Sequence, residues 1–585
     1  MSKGRIIFFL LVIVLLVLGG ASAYFYTRPN QEVVPAFDYQ KLNLVIGDEI
    51  IDQEIFIEDN EILLPMKVIK EYFDPNIWWD DKLNKVTITT KDRLIRMRTD
   101  ELEAYVNQEP VTLNIPVTEK KGEIYIPIEF LSDLYELSIN YFEESKVVLI
   151  DYDVEMWETA QIIHNGEEKV PVRKKPSIYS PVLVNLESGE NENNNILRVF
   201  QTYEKWYKVR TSEGIVGYVQ KKYVYTKWIY NREKKNNNSK VNWKPDKGKI
   251  NLVWEMMFEN RPDLNKMNIK GIDVISPTWF QVMDEKGELI NRSYAGFVEW
   301  AHESNIKVWA LISNDFRDPD MTKKILNDSD VRDNIIRQVL AYVSLYNLDG
   351  INIDFENIYK IDKEAFTQFV REITPLLKEQ GLTVSVDVTI PDGSDNWSKC
   401  YDREALGKIV DYVCVMTYDQ HWSTSPKAGS VAGMEWVEKN IIKMVDLVPR
   451  EKLLMGCPLY TYLWEEETNN QGEKVVSSRA LSMENARQKV KENNAQVTWD
   501  NESGQFYCEY KKGEKKYKIW IEDKNSMNLR SSLIHKYGLA GAALWKRSDA
   551  VPEIWELLYV NLKEIETYQE WAAKNNEKKY VYSIN

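Results

Sequence analysis

The stretch that most constrains this chain is Leu348–Asn357, which reads Leu-Asp-Gly-Ile-Asn-Ile-Asp-Phe-Glu-Asn. Its pattern has period two, so Ile351, Ile353 and Phe355 point one way while Asn352, Asp354 and Glu356 point the other. Apolar runs flank it. A strand in a parallel sheet is usually covered on both faces and reads as continuous apolar sequence. Here one whole face is polar or acidic, and a solvated edge strand is the bland alternative to a working one. Carboxylates two residues apart on a strand stack about 7 Å apart along one wall. Burying them costs several kcal/mol each unless they are paired or used.

The texture around this strand argues for a barrel. From residue 248, candidate strands Ile250–Trp254, Asp273–Ser276, Lys307–Ile312, Gly350–Phe355, Thr383–Thr389, Tyr412–Thr417, Leu453–Pro458 and Ala540–Trp545 alternate with helical patterns such as 330–346, 363–380 and 434–447. Eight strands alternating with helices predict a (β/α)8 TIM barrel over 248–560. Residues 461–535 are too long for a plain crossover and carry a helix and hairpin-like strands, so they read as a small α+β insertion walling a cleft. The tail 561–585 begins helical and then frays.

The motif now supports a resemblance. Asp349-Gly350-Ile351-Asn352-Ile353-Asp354-Phe355-Glu356 resembles the signature of glycoside hydrolase family 18, Asp-Gly-x-Asp-x-Asp-x-Glu, with Asn352 where the family commonly has Asp. Within the family the likeness is to bacterial cell-wall and spore-cortex N-acetylglucosaminidases. A barrel carries its site at the C-terminal strand ends. That places Glu356 at the mouth, Asp354 one step down and Asn352 deeper. Only one carboxylate is placed as a proton donor and no second nucleophile is evident, which fits the substrate-assisted exception among retaining glycosidases. The resemblance then implies the roles. Glu356 is general acid and later base. Asp354 accepts the acetamido N–H of the sugar and raises the pKa of Glu356. A neutral Asn352 leaves Asp354 no deeper carboxylate with which to share a proton, which bears on the pH profile.

Further residues follow in the same way. Met416-Thr417-Tyr418-Asp419 resembles the family's Met-x-Tyr-Asp. The likeness implies that Tyr418 holds the acetamido carbonyl, that Asp419 binds a sugar hydroxyl, and that Trp545 is the floor on which the sugar stacks. Glu255 and Trp279 are softer cleft candidates, with core packing as the alternative. Asp349 and Gly350 read as bracing the motif loop.

The N-terminal half adds modules. Lys3 and Arg5 precede the apolar run Ile6–Leu18, followed by Gly19-Gly20-Ala21-Ser22-Ala23. Residues 1–26 therefore read as an export segment, either a cleaved signal peptide or, as preferred here, a single-pass membrane anchor with the bulk outside. In 37–152 the run Glu61-Ile-Leu-Leu-Pro65 recurs as Glu123-Ile-Tyr-Ile-Pro127, each followed by a short helix and a hairpin. This repeat resembles the stalk-like domain named after the N-terminal domain of copper amine oxidases. It contains no histidine, so the name implies no copper. Residues 158–228 resemble a bacterial SH3-type barrel on Val172-Arg173-Lys174-Lys175-Pro176, Trp206-Tyr207-Lys208-Val209 and Gly214–Val219. Residues 229–247 read as a linker.

Composition narrows the partners. A net charge of −15 argues against nucleic acid. Four cysteines are too few and too scattered for a disulfide framework, and the four histidines have no ligand spacing, so no metal or other cofactor is expected. The expected partners are a membrane, through the N-terminal helix, and a GlcNAc-containing glycan, peptidoglycan first, with a chitinase-like or endo-N-acetylglucosaminidase activity on another GlcNAc glycan, such as chitin oligomers, as the alternative. A lectin that binds without cleaving, and a scaffold in which the N-terminal modules carry the function, are the competing classes.

Overall fold

The computed structural model describes residues 28–154, 156–163, 169–187, 196–230, 243–257, 269–468 and 471–575, with single positions 13, 264, 267, 580 and 582. The expected export segment 1–26 lies outside them except for Ile13, as does most of the expected linker. Among the described residues, no helix is long and apolar enough to cross a membrane.

Two compact units divide the chain. The first comprises 1–75, 97–104 and 111–239; the second comprises 76–96, 105–110 and 240–585. The expected stalk segment 37–152 is therefore not contained in one unit.

In the first unit the repeat takes the expected form. Glu61–Pro65 leads into the helix Met66–Tyr72, and Glu123–Pro127 leads into Glu129–Tyr135. The two repeated strands pair antiparallel, with Tyr125 opposite Pro65 and Pro127 opposite Leu63. After the second helix comes the hairpin Leu137–Phe142 and Val147–Tyr152, whose second strand pairs parallel with Asn43–Ile46. The SH3-like segment is a seven-stranded antiparallel sheet closed over a core that includes Val170, Val172, Leu197, Val209 and Val219.

The second unit holds a closed barrel of eight parallel strands: β1 Ile250–Glu255, β2 Val274–Pro277, β3 Lys307–Ser313, β4 Gly350–Asp354, β5 Thr383–Thr389, β6 Tyr412–Met416, β7 Leu453–Pro458 and β8 Gly541–Trp545. Each pairs with its sequence neighbours, and β8 returns to β1. The observed strands agree with the sequence reading within a residue or two. Valine, isoleucine and leucine of the outward strand faces pack under the helices 329–346, 363–379 and 434–445 to form the main core. Between β7 and β8 the insertion is a five-stranded sheet with the helix Met483–Glu492. Its first two strands, Tyr460–Thr468 and Lys474–Ser482, lack clean alternation and went unread in the sequence.

The hairpin after the first repeat (Trp78–Asp80 with Lys85–Thr89) belongs to the barrel's unit. Asp80 accepts a hydrogen bond from Ser329 N at 3.0 Å, supplying an acceptor to the orphan donors that open the helix 329–346. Lys85 pairs with Asp330 at 2.7 Å, and the Arg332 guanidinium lies 5.5 Å from the Trp78 ring centroid.

Candidate active site

β4 carries the motif because its alternation fits the barrel wall. Ile351 and Ile353 point outward into the main core, while Asn352 and Asp354 point inward. Gly350 is required by close approach: a Cβ there would lie 2.5 Å from the Thr383 carbonyl and 2.7 Å from the Trp309 ring. Asp349 braces the start of the strand. It accepts from Val308 N at 2.9 Å and pairs with Lys307 and His302 at 2.7 and 2.8 Å.

Asn352 is wholly buried and its amide is fully used. Its oxygen accepts from Trp254 Nε1 at 2.8 Å and Ser276 Oγ at 3.2 Å. Its nitrogen donates to Ser385 Oγ at 3.0 Å and Asp387 Oδ1 at 2.8 Å. Asp354, one step nearer the mouth, is 8% exposed, yet its Oδ1 is buried without a hydrogen-bond partner. Such an orphan acceptor costs about 1–3 kcal/mol, more for a charged group.

Glu356 follows the strand and is half-buried. Its backbone is clamped by Asn314, which accepts from Glu356 N at 2.9 Å and donates to Glu356 O at 2.8 Å. The preceding carbonyl, of Phe355, accepts from the Tyr401 hydroxyl at 2.8 Å. The site thus holds Asp354, Glu356 and Asp387 together, and among the described residues none of the three forms an ion pair with lysine or arginine. Burial pushes Asp354 up to about 7. Burial, with the charges of Asp354, Asp387 and Asp419, pushes Glu356 well above the usual carboxylate range. A glutamic acid held protonated beside an aspartate that can ionise is a general acid with a neighbouring anion.

β6 delivers the second motif. Met416 closes the strand at 9% exposure, and the Thr417 hydroxyl donates to the Gly456 carbonyl at 2.6 Å. Tyr418 sits in the field of all these carboxyls; burial, then Asp387, Glu356 and Asp354, push its hydroxyl well above the usual phenol range. Asp419 takes a left-handed backbone (φ 57°) that Asp tolerates. It accepts from the hydroxyls of Tyr460 at 2.5 Å and Tyr462 at 3.4 Å. Trp545 ends β8 half-buried, its ring 6.0 Å from Trp254, and packs at the edge of an aromatic cluster with Tyr460, Tyr462 and Trp464.

Two softer candidates are engaged by the protein itself. Trp279 is wholly buried in the main core, edge-on to Phe297 at 5.4 Å, and is a packing residue rather than a cleft wall. Glu255 ends β1 at 3% exposure but is occupied by Arg547, whose Nη2 donates to it at 2.9 Å. Sequence reasoning missed Asp387, Asn314, Tyr401, Tyr460 and Tyr462. Asp387 had a readable signal: Thr383-Val-Ser-Val-Asp-Val-Thr389 alternates as cleanly as the motif strand.

Residues 268–550 match the family model described as "Glycosyl hydrolases family 18". Residues 44–150 match "Copper amine oxidase N-terminal domain" and 166–224 match "Bacterial SH3 domain". Among curated relatives, the uncharacterized glycosylase YvbX of Bacillus subtilis is 26% identical over 47% of this chain and 80% of its own length. The cortical fragment-lytic enzyme of B. subtilis is 29% identical over 40% of this chain, which spans about half (54%) of that relative. Among solved structures, the spore cortex-lytic enzyme SleL of Bacillus megaterium is 24% identical with a TM-score of 0.49, covering 59% of this chain and 77% of that one.

Proposed function

We propose, starting from the match of residues 268–550 to the family 18 glycoside hydrolase model, that the protein cleaves β-1,4 bonds after N-acetylglucosamine in peptidoglycan, by substrate-assisted retaining catalysis. Family 18 is itself an exception to the rule of two working carboxylates flanking the bond. The observation that carries the reading is the buried, unpartnered Oδ1 of Asp354 beside Glu356. An orphan acceptor in a site of this kind is satisfied by a donor the substrate brings, and an acetamido N–H is such a donor.

In this reading Glu356 protonates the leaving oxygen while the acetamido oxygen attacks the anomeric carbon. Asp354 takes the acetamido N–H and stabilises the cationic intermediate. Glu356, now ionised, activates the water that opens it. Tyr418 aligns the acetamido group, Asp419 binds a hydroxyl, Trp545 supplies the stacking face, and Met416 with Asn352 shapes the floor. The relative described as cortical fragment-lytic supports a wall glycan as substrate, and an N-terminal membrane anchor would hold the enzyme at the wall. Relatives described as di-N-acetylchitobiase favour chitin oligomers as the second reading.

The test uses the full chain and its Glu356→Gln variant, incubated with purified peptidoglycan and with chitin oligomers. Mass spectrometry then identifies the reducing ends. GlcNAc reducing ends from peptidoglycan, absent with the variant, are the expected result. Cleavage of chitin oligomers alone moves the assignment to the second reading. Glycan binding without cleavage by either protein replaces the hydrolase with a lectin.

A further inference from the structure

Asp387 is a buried carboxyl to which neither motif assigns a task. Its position follows from β5, where Thr383, Ser385 and Asp387 share the inward face. The register pairs Asn352 with Ser385 and Ile353 with Val386, so one more step along both strands sets Asp354 beside Asp387. On its other side Asp387 lies opposite Cys414 of β6, whose thiol is a hydrogen-bonding neighbour. Asp387 is 2% exposed and accepts from Asn352 Nδ2 at 2.8 Å.

The titratable groups that face it are all acids: Asp354 from β4, Glu356 beyond that strand, and Cys414 and Tyr418 from β6. No lysine or arginine among the described residues forms an ion pair with it. Two like charges about 4 Å apart repel by roughly 4 kcal/mol at an effective dielectric of about 20. Neighbouring buried carboxyls therefore retain a proton between them.

We propose that Asp387 is the proton partner of Asp354: the two carboxyls carry one proton between them across neutral pH, and it rests on Asp387 whenever Asp354 acts as an anion. In that step an O–H bond on Asp354 breaks, one on Asp387 forms, and the net charge of the pair stays the same. The amide at 352 permits the arrangement. Asn352 offers Asp387 an N–H, where an aspartate would bring a second negative oxygen to the same place. The chain thus has a second inward-facing carboxyl beside Asp354 after all, carried by the neighbouring strand and not by the motif strand. Burial and the charge on Asp354 hold Asp387 well above the usual range, in keeping with its keeping the proton.

The inference rests on the proposed hydrolysis for its kinetic readout, but the proton itself can be observed without turnover. Infrared spectra of the full chain labelled with carboxyl-13C aspartate should show a protonated aspartate band at pH 7.5 that weakens in Asp387→Asn. In the Asn352→Asp/Asp387→Asn double variant, which restores one carboxyl and one amide to the pair, the band should return. An identical band in the wild type and Asp387→Asn overturns the proposal. In kinetics, the acid limb of kcat/KM should move up by about one pH unit in Asp387→Asn, because Asp354 then has no partner to take its proton and must release it to solvent. The double variant should move it back. A pH profile unmoved by Asp387→Asn, with only its melting temperature changed, assigns Asp387 a structural role. If the wild type cleaves no GlcNAc glycan, the hydrolase reading fails and the infrared comparison alone decides this one.

Discussion

Among the carboxylates buried in this barrel, two sets differ by a guanidinium. Glu372, on the helix 363–379, is buried against Arg332 of the helix 329–346 in a two-pronged pair at 2.7 and 3.1 Å, with Gln368 donating at 3.0 Å. Burial pushes Glu372 up, and Arg332 together with Arg96 and Gln368 more than offsets it, so its carboxyl lies below the usual range. Asp354 and Asp387 at the strand ends are buried with no such partner, and they and the half-buried Glu356 beside them move the opposite way. Equal burial therefore does not make equal groups. The paired carboxylate is a permanent anion that fixes two helices to each other. The unpaired ones are acids whose protons can be moved.

Four measurements would break or sharpen that contrast. Glu356→Gln should lower kcat by about 10³-fold with little change in melting temperature, as loss of a general acid does. A comparable loss of stability instead would make Glu356 a structural residue. Glu372→Gln should do the reverse, destabilising the fold by about 3–5 kcal/mol in denaturant titration because Arg332 is left uncompensated, while the folded fraction keeps its kcat. In the unmodified protein, kcat/KM should fall as pH drops below about 7, where Asp354 takes up its proton; a flat acid limb down to pH 5 would contradict that assignment.

The smallest effect is on stability against pH. A carboxyl whose folded pKa is raised binds its proton more tightly in the native state. It costs stability as pH rises from the unfolded value, about 4, through the folded one. Glu372, lowered instead, contributes stability that is lost as pH falls through its folded value. Asp387→Asn should therefore raise the melting temperature by a few degrees at pH 8 and leave it unchanged at pH 4. A rise of equal size at both pH values would mean that packing rather than ionisation is responsible.

Much of this was legible along single strands. Period-two alternation marked β4, and short apolar runs between helical patterns marked the other seven barrel strands. The spacing from Asp349 to Glu356 fixed which side chains share a wall. What could not be read was pairing between distant segments. The alternation of β5 is as regular as that of β4, but only the closed barrel brings Asp387 against Asn352. Asn314 and Tyr401 grip the backbone around Glu356 from loops whose sequence gives no sign of it. Trp279 misled because a tryptophan after a barrel strand looks alike whether it faces sugar or Phe297.

The hairpin that follows the first repeat changes how this chain can be divided by descent as well as by experiment. Trp78 covers the guanidinium that neutralises Glu372, and Asp80 and Lys85 meet the start of the same helix. A lineage that recombined at the segment before residue 248 would inherit Arg332 without its tryptophan and Asp330 without its lysine. Exchange of the N-terminal repeats for those of a relative should therefore be accepted only when residues 76–96 travel with the barrel. Substitutions at Trp78, Asp80 and Lys85 should track changes at 329–332 across species, though the stalk-domain match spans the former and the hydrolase match the latter.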